Sequence, residues 1–298
     1  GQGKANQKLF NADGTCMLNK QLLVYTDLDG SLLNHHDYSH EAADSMLAEL
    51  ERLHVPVIPD TSKTAAELLE IRKELNNHHP FIIENGAAVY IPENYFRMRP
   101  PDTTIVADFW VKAFTEPRQY WQSLLQSLNK DFENCYTTFE QAGVKGIMEM
   151  TGLEPGKARQ ASMRGYGEPV CWRGTETEKE KFIKYLEDKG AVVLEGGRFL
   201  HVSGTCTKGN ALRWLTRQYQ LDDPGQAFIT IAAGESQNDV AMLEAADIAL
   251  IIRSPVNEMP VIDQHQHCFR SGDFGSKGWV EGMNTVFDFL RNPDVKII

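Results

Sequence analysis

Short apolar runs alternate with helical stripes along the first third of the chain. Residues 21–26 read QLLVYT, an apolar stretch that runs straight into DLDG. They are predicted as a buried strand ending in a loop. In residues 40–53, Ala43, Met46, Leu47, Leu50 and Leu53 recur at helical spacing. Residues 55–59 form a second apolar run, followed by DTSKT, which offers helix N-cap residues before a helical pattern over residues 64–75. Residues 81–83 give a third run, followed by ENG. Strand, helix, strand, helix, strand at this spacing predicts a parallel α/β sheet.

The regularity breaks at about residue 90. Residues 90–197 carry Pro92, Pro100, Pro101, Pro117, Pro155 and Pro169, with mixed signals. The pattern predicts helices over 116–128 and 176–189 and strands over 168–172 and 191–194. It then returns to strand–helix alternation, with helices over 208–219 and 240–246 and strands over 227–232 and 248–252. The expected fold class is therefore α/β. A doubly wound parallel-sheet core of residues 19–89 and 198–298 is interrupted by an inserted α+β domain at 90–197. Residues before Asn19 are left out of this reading.

Composition changes the picture little. At 298 residues, 42% hydrophobic and 24% charged, the chain suits one large soluble domain plus an insert. The formal net charge of -11 argues against nucleic acid and anionic membranes as partners. It does not exclude a small anionic substrate, because one metal ion and a few cations reverse the field in a pocket. Five scattered cysteines with no CxxC are expected to be reduced thiols, neither a disulfide framework nor a zinc site. No apolar run approaches the ~20 residues that span a bilayer. GQGKANQKLF lacks the apolar core of a signal peptide. The expected location is the cytoplasm.

Candidate chemistry sits where predicted strands end. Asp27-Leu28-Asp29-Gly30 follows the first strand, and open α/β sheets bind ligands at the carboxyl ends of their strands. Two carboxylates one residue apart face a single pocket only at a cost in like-charge repulsion, which a cation such as Mg²⁺ relieves. One carboxylate can attack phosphorus, and the other can protonate the leaving oxygen and then activate water. Alone, DxDG also fits a surface Asp-Gly turn. After the second strand, Thr61 and nearby amides at a helix start can hold a phosphoryl oxygen. Lys208 opens a helix, an electrostatically odd place for a cation unless it faces a phosphate and Asp27. Glu235, Asn238 and Asp239, in GESQND, follow another strand and can complete a metal site. Nucleophile, hydroxyl, cation and metal acid thus come in that order at four strand ends.

In these segments the chain resembles the haloacid dehalogenase superfamily of phosphatases. DLDGSLL is similar to its first motif, Thr61 to the second, Lys208 to the third and GESQND to the fourth, in family order over nearly the whole chain. The insert resembles the C2 cap of the Cof-like type. The resemblance implies Asp27 as nucleophile, Asp29 as acid/base, and Mg²⁺ held by Asp27, the Asp29 carbonyl and the first acid of the fourth motif. That acid is usually Asp and here is Glu235, which reaches the ion directly or through water. Asn238 and Asp239 then orient the ligands.

A narrower resemblance joins core and insert. VPVIPDTSKT with Lys63, FIIENGAAV, Arg164-Gly165-Tyr166-Gly167-Glu168-Pro169 before Trp172, Glu195-Gly196-Gly197-Arg198-Phe199, and the late Gly278-Trp279 with Glu281-Gly282 are similar to the mannosyl-3-phosphoglycerate phosphatase family. That family makes mannosylglycerate, a compatible solute, and some relatives accept the glucosyl analogue. The implied partner is a small sugar phosphoglycerate. Its carboxylate wants an arginine or lysine, for which Lys63, Arg164 and Arg198 are candidates. Its sugar wants planar hydrogen-bonding groups, for which Glu168 and Asn85 are candidates. The alternatives are a phosphatase of another sugar phosphate, sucrose-phosphatase-like or Cof-like, and a non-catalytic ligand-binding module on the same fold.

Overall fold

The computed structural model describes residues 19–196, 199–263, 265 and 267–292. In chain order its elements begin with β1 (Lys20–Thr26), α1 (Asp44–Arg52), β2 (Val57–Pro59), α2 (Ala65–Glu74), β3 (Phe81–Ile83) and β4 (Ala88–Pro92). Next come β5 (Thr104–Val106), β6 (Phe109–Ala113), α3 (Arg118–Gln126), β7 (Tyr136–Thr138), α4 (Phe139–Thr151) and α5 (Pro155–Ser162). Then follow β8 (Glu168–Trp172), α6 (Glu176–Asp188), β9 (Val192–Gly196), β10 (Phe199–Ser203) and α7 (Lys208–Asp222). The series closes with β11 (Ala227–Gly234), α8 (Val240–Ala245), β12 (Ile248–Arg253), β13 (Cys268–Phe274) and α9 (Gly275–Leu290).

The chain forms two compact units, one of residues up to Thr61, Asn77–Lys112 and those from Thr207 on, the other of Ser62–Asn76 and Ala113–Cys206. The first holds a sheet ordered β13-β12-β11-β1-β2, with parallel pairing throughout. Its central strands are buried over all but one end, which is why residues 22–25 of β1 and 248–252 of β12 read as apolar runs. A second sheet, β3-β4-β6-β5, is joined to the first by a parallel bridge between Ile82 and Asp60. This is the α/β doubly wound core.

The second unit is α+β, as expected of the insert. Its antiparallel sheet runs β7-β8-β10-β9. On one face Val170, Leu200 and Val202 pack with Trp121, Phe182 and Leu186; elsewhere Phe199 packs with Phe139, Ile147 and Ala158. Capping boxes Thr64/Glu67, Thr138/Gln141 and Thr175/Glu178 start α2, α4 and α6.

The structure draws the boundaries between the units differently from residues 89/90 and 197/198. Residues 88–112 stay with the first unit because β4 pairs with β3 and continues the sheet to β6 and β5. β10 belongs to the second because it pairs with both β8 and β9. Among the described residues no helix is long and apolar enough to cross a membrane.

Candidate active site

The expected catalytic residues gather at the carboxyl ends of three adjacent parallel strands. Asp27 follows β1; its amide donates to the Ala233 carbonyl of β11 at 2.8 Å, and the Asp60 amide beyond β2 donates to the Thr26 carbonyl at 2.8 Å. Neighbouring strands thus end level, and the residues just past them share one edge. The Lys208 ammonium, fully buried at the start of α7, donates to Asp27 Oδ1 at 3.0 Å and to Asp239 Oδ1 at 2.6 Å. Thr207 caps α7 by accepting from the Asn210 amide, which fixes where Lys208 leaves the backbone.

Asp239 is committed on both oxygens. Besides Lys208, it accepts from the Glu235 and Ser236 amides at 2.9 and 3.1 Å. It therefore orients both the cation and the turn carrying Glu235. The Glu235 carboxylate is held by Asn257 Nδ2 at 3.2 and 3.0 Å. It lies over Gly30, where an added Cβ would stand 3.0 Å from the Glu235 carboxyl carbon. Gly30 also has φ +80, so the DLDG turn needs glycine for its backbone as well as for the reach of Glu235. Ser31 donates to Asp27 Oδ2 at 3.4 Å.

Asp29 lies in this turn, bridged to Leu33. Thr61 is buried; its amide donates to the Ile82 carbonyl and its carbonyl accepts from the Asn85 amide. Asn238 Nδ2 donates to Asn85 Oδ1 at 3.2 Å, which ties the expected sugar ligand Asn85 to the fourth motif.

The electrostatics are those of carboxylates crowded about one ammonium. Burial pushes Asp27 up to about 8, reinforced by Asp239 and opposed by Lys208. Burial disfavours the Lys208 charge, but Asp239, Asp27 and Asp60 outweigh it and hold the ammonium above its usual range. The short contact to Asp239 takes most of the cation, so Asp27 bears the surplus repulsion. Asp27, Glu235 and Asp239 each offer an oxygen within 4.8 Å of the others. A set of hard oxygen donors with excess negative charge fits a divalent cation of the Mg²⁺ kind.

Asp60 was not among the sequence candidates. It is completely buried, and neither carboxyl oxygen has a hydrogen-bond partner among the described residues. Burial raises it well above the ordinary carboxylate range, with Lys208 pulling down and Asp239 and Asp27 pushing up. DTSKT reads locally as a helix cap, and the cap proves to be Thr64; nothing in the string marks Asp60 as buried. Asn257 was missed as well, since it lies on a loop after β12 with no local pattern.

The expected substrate residues of the second unit fare unevenly. Arg164 Nη2 donates to the Ser62 carbonyl at 3.1 Å, beside Lys63, whose ammonium stands 3.8 Å from Glu67 Oε2. Both cations are thus on one patch of that unit. Glu168 is corrected: its side chain is fully buried, ion-paired to Arg118 Nη2 at 2.7 Å and accepting from the Glu140 amide at 3.1 Å. It fastens α3 and α4 to β8, and it has no oxygen turned outward for a sugar. Arg198 lies outside the described residues.

Comparison with known proteins agrees with this geometry. A family model described as haloacid dehalogenase-like hydrolase matches residues 24–149, and one described as sucrose-6F-phosphate phosphohydrolase matches residues 178–286. The chain is 35% identical over 274 residues to a Methanococcoides burtonii protein named glucosyl-3-phosphoglycerate/mannosyl-3-phosphoglycerate phosphatase, covering 90% of this chain and 97% of that one. A Persephonella marina protein of the same name is 32% identical over 277 residues, covering 91% and 98%. Among solved structures, a haloalkanoate-superfamily phosphatase from Bacteroides thetaiotaomicron aligns with TM-score 0.63 at 16% identity, over 91% of this chain and 96% of that one. The sucrose-phosphatase of Synechocystis aligns with TM-score 0.56 at 16% identity, over 90% and 98%. These two likenesses speak for the fold. With Asp27, Lys208 and the acids gathered at adjoining strand ends and near full-length relatives above 30% identity, the chain belongs to the haloacid dehalogenase-like hydrolases and is a phosphoric monoester hydrolase.

Proposed function

We propose that this chain hydrolyses mannosyl-3-phosphoglycerate and its glucosyl analogue to the glycosylglycerate and phosphate, with Mg²⁺ bound. The observation that carries the reading is the match to two so-named phosphatases over at least 90% of the chain. The buried Asp27–Lys208–Asp239 cluster supports the chemistry.

Asp27 attacks phosphorus in line, and the bond to the glycerate oxygen breaks. Asp29 gives its proton to that oxygen. Asp29 then takes a proton from the water that attacks the aspartyl-phosphate, phosphate leaves, and Asp27 is restored. Lys208 holds Asp27 and offsets charge on the phosphoryl oxygens, and Thr61 with neighbouring amides binds those oxygens. Asp27, Glu235 and the Asp29 carbonyl are the groups that would hold Mg²⁺, which supplies charge neutralisation at the phosphoryl group. Asn238 and Asp239 keep these groups in place. Lys63, two residues along the chain from Thr61, and Arg164, whose guanidinium holds the Ser62 carbonyl, are the cations proposed for the carboxylate. The substrate is a small molecule; nucleic acid and membrane are not proposed as partners.

The sucrose-6F-phosphate phosphohydrolase match over residues 178–286 favours a second reading, a phosphatase of another sugar phosphate. One panel decides between them. On the first reading, kcat/KM for the two glycosyl-3-phosphoglycerates exceeds that for sucrose 6-phosphate and simple hexose phosphates by at least about 100-fold, because substrates without the carboxylate leave its polar partners unpaired. Equal rates across the panel, or a preference for sucrose 6-phosphate, would remove it.

A further inference from the structure

Gly278-Trp279 with Glu281-Gly282 stands near the end of the chain, far from the four catalytic segments, and no step above uses it. The structure places it on α9, which packs against β12 and β13. Gly278 is where the helix meets the end of β13: an added Cβ would stand 2.2 Å from the Asp273 carbonyl oxygen. Glu281 accepts from the Gly272 and Asp273 amides at 2.7 and 3.1 Å and pins the end of that strand to the helix. These contacts fix the helix close to the sheet and drive Trp279 inward, to complete burial.

A buried indole N–H needs an acceptor. Trp279 Nε1 donates to Thr26 Oγ1 at 3.0 Å. Thr26, the last residue of β1, is itself completely buried. Its hydroxyl carries one hydrogen, and accepting from the indole leaves that hydrogen to be donated elsewhere. It goes to the Asp27 carbonyl at 2.7 Å. The Asp27 amide is held from the other side by the Ala233 carbonyl at 2.8 Å. Both peptide groups flanking the nucleophile are thereby anchored, one to β11 and one through Thr26 to α9.

We propose that Trp279 is a positioning residue for Asp27: its indole N–H sets the direction of the Thr26 hydroxyl, which locks the peptide after the nucleophile and so aims the attacking carboxylate. The inference rests on Asp27 being the nucleophile. Attack in line tolerates little displacement, so a small loosening of this peptide slows chemistry more than it weakens binding.

The test uses Trp279→Phe, which removes the N–H and keeps most of the ring, together with Thr26→Val and Thr26→Ser, assayed at saturating Mg²⁺ on p-nitrophenyl phosphate and on glucosyl-3-phosphoglycerate. Trp279→Phe and Thr26→Val should each lower kcat by about tenfold with KM within about twofold. Thr26→Ser, which keeps the hydroxyl, should stay near wild type. The double variant Trp279→Phe/Thr26→Val should be no slower than the worse single variant, since both break one relay. Should Trp279→Phe fail to fold, the contrast between Thr26→Val and Thr26→Ser decides the matter alone. An unchanged kcat in Thr26→Val or in folded Trp279→Phe would overturn the inference, as would losses that multiply in the double variant. A wild type inert on every ester, or an active Asp27→Asn, would instead sink the nucleophile assignment and this inference with it.

Discussion

Lys208 Nζ lies 3.0 Å from Asp27 Oδ1, across 181 positions of sequence. The pair meets because β1 and β11 are parallel neighbours and α7 begins beside their carboxyl ends. With Asp239 taking the shorter contact to the same ammonium, Asp27 is the most strained of the three charges. Replacing it by Asn keeps its shape and removes one surplus negative charge. Asp27→Asn should lose turnover by at least about 1,000-fold, as expected when a covalent nucleophile is removed. At pH about 9, where Asp27 is ionised, its melting temperature without metal should equal or exceed that of wild type, because the like-charge repulsion is gone. Hydrolysis rates and melting curves on the same preparation check both, and a large loss of stability would contradict the crowded site.

Asp60 gives a prediction of opposite sign to that for an ion-paired, hydrogen-bonded carboxylate. Burial holds its folded pKa well above the ordinary carboxylate value. Between the two values the folded state keeps a proton that the unfolded state releases, so this group removes stability as pH rises. Asp60→Asn has no proton to lose. Its stability should exceed that of wild type at pH 7–8, and the gain should shrink toward pH 4. Urea unfolding of both proteins at three pH values measures this, and a variant less stable at pH 8 than wild type would show that Asp60 is held as a useful anion.

Glu235 should be read through metal binding. If Glu235 helps to hold the cation, millimolar Mg²⁺ raises the melting temperature of wild type by mass action, since the folded site binds it and the unfolded chain does not. Glu235→Gln keeps the size of the side chain and its reach over Gly30 but offers a weaker donor. The Mg²⁺-induced rise should fall by half or more in Glu235→Gln and should vanish in Asp27→Asn/Glu235→Gln. An undiminished rise in Glu235→Gln would place the cation elsewhere.

Much of this was legible in the sequence for physical reasons. QLLVYT and IALII are buried on both faces in a parallel sheet, so their apolarity is continuous and their ends are sharp. Asp27, Thr61 and Glu235 stood out because each follows a strand, and Lys208 because it opens a helix. What sequence hid depends on distant pairing. β10 is recognised as a strand of the second unit only once its partners β8 and β9 are known. Glu168 looked available until Arg118, fifty positions away, was seen to claim it. α9 lies behind the sheet, and Trp279 read as a family mark until its indole was found on Thr26. Local chemistry is written in short strings, whereas burial and pairing are properties of the fold.

His201 carries the last prediction. It lies on β10, and burial, with a smaller push from the Arg164 cation, lowers its pKa to about 4. Its Nδ1 has no hydrogen-bond partner among the described residues, so nothing there rewards a charged ring. Between pH 6.5 and 4 the unfolded chain binds a proton that the folded state refuses, and stability therefore falls as pH falls through that window. The loss attributable to this one group is of order 1–3 kcal/mol, from a shift of that size. His201→Gln has no such proton to take up, so its melting temperature should decline less than that of wild type from pH 7 to pH 4.5. Parallel declines would mean that His201 is neutralised in the unfolded state as well, or that the folded protein admits the charged ring by opening around β10.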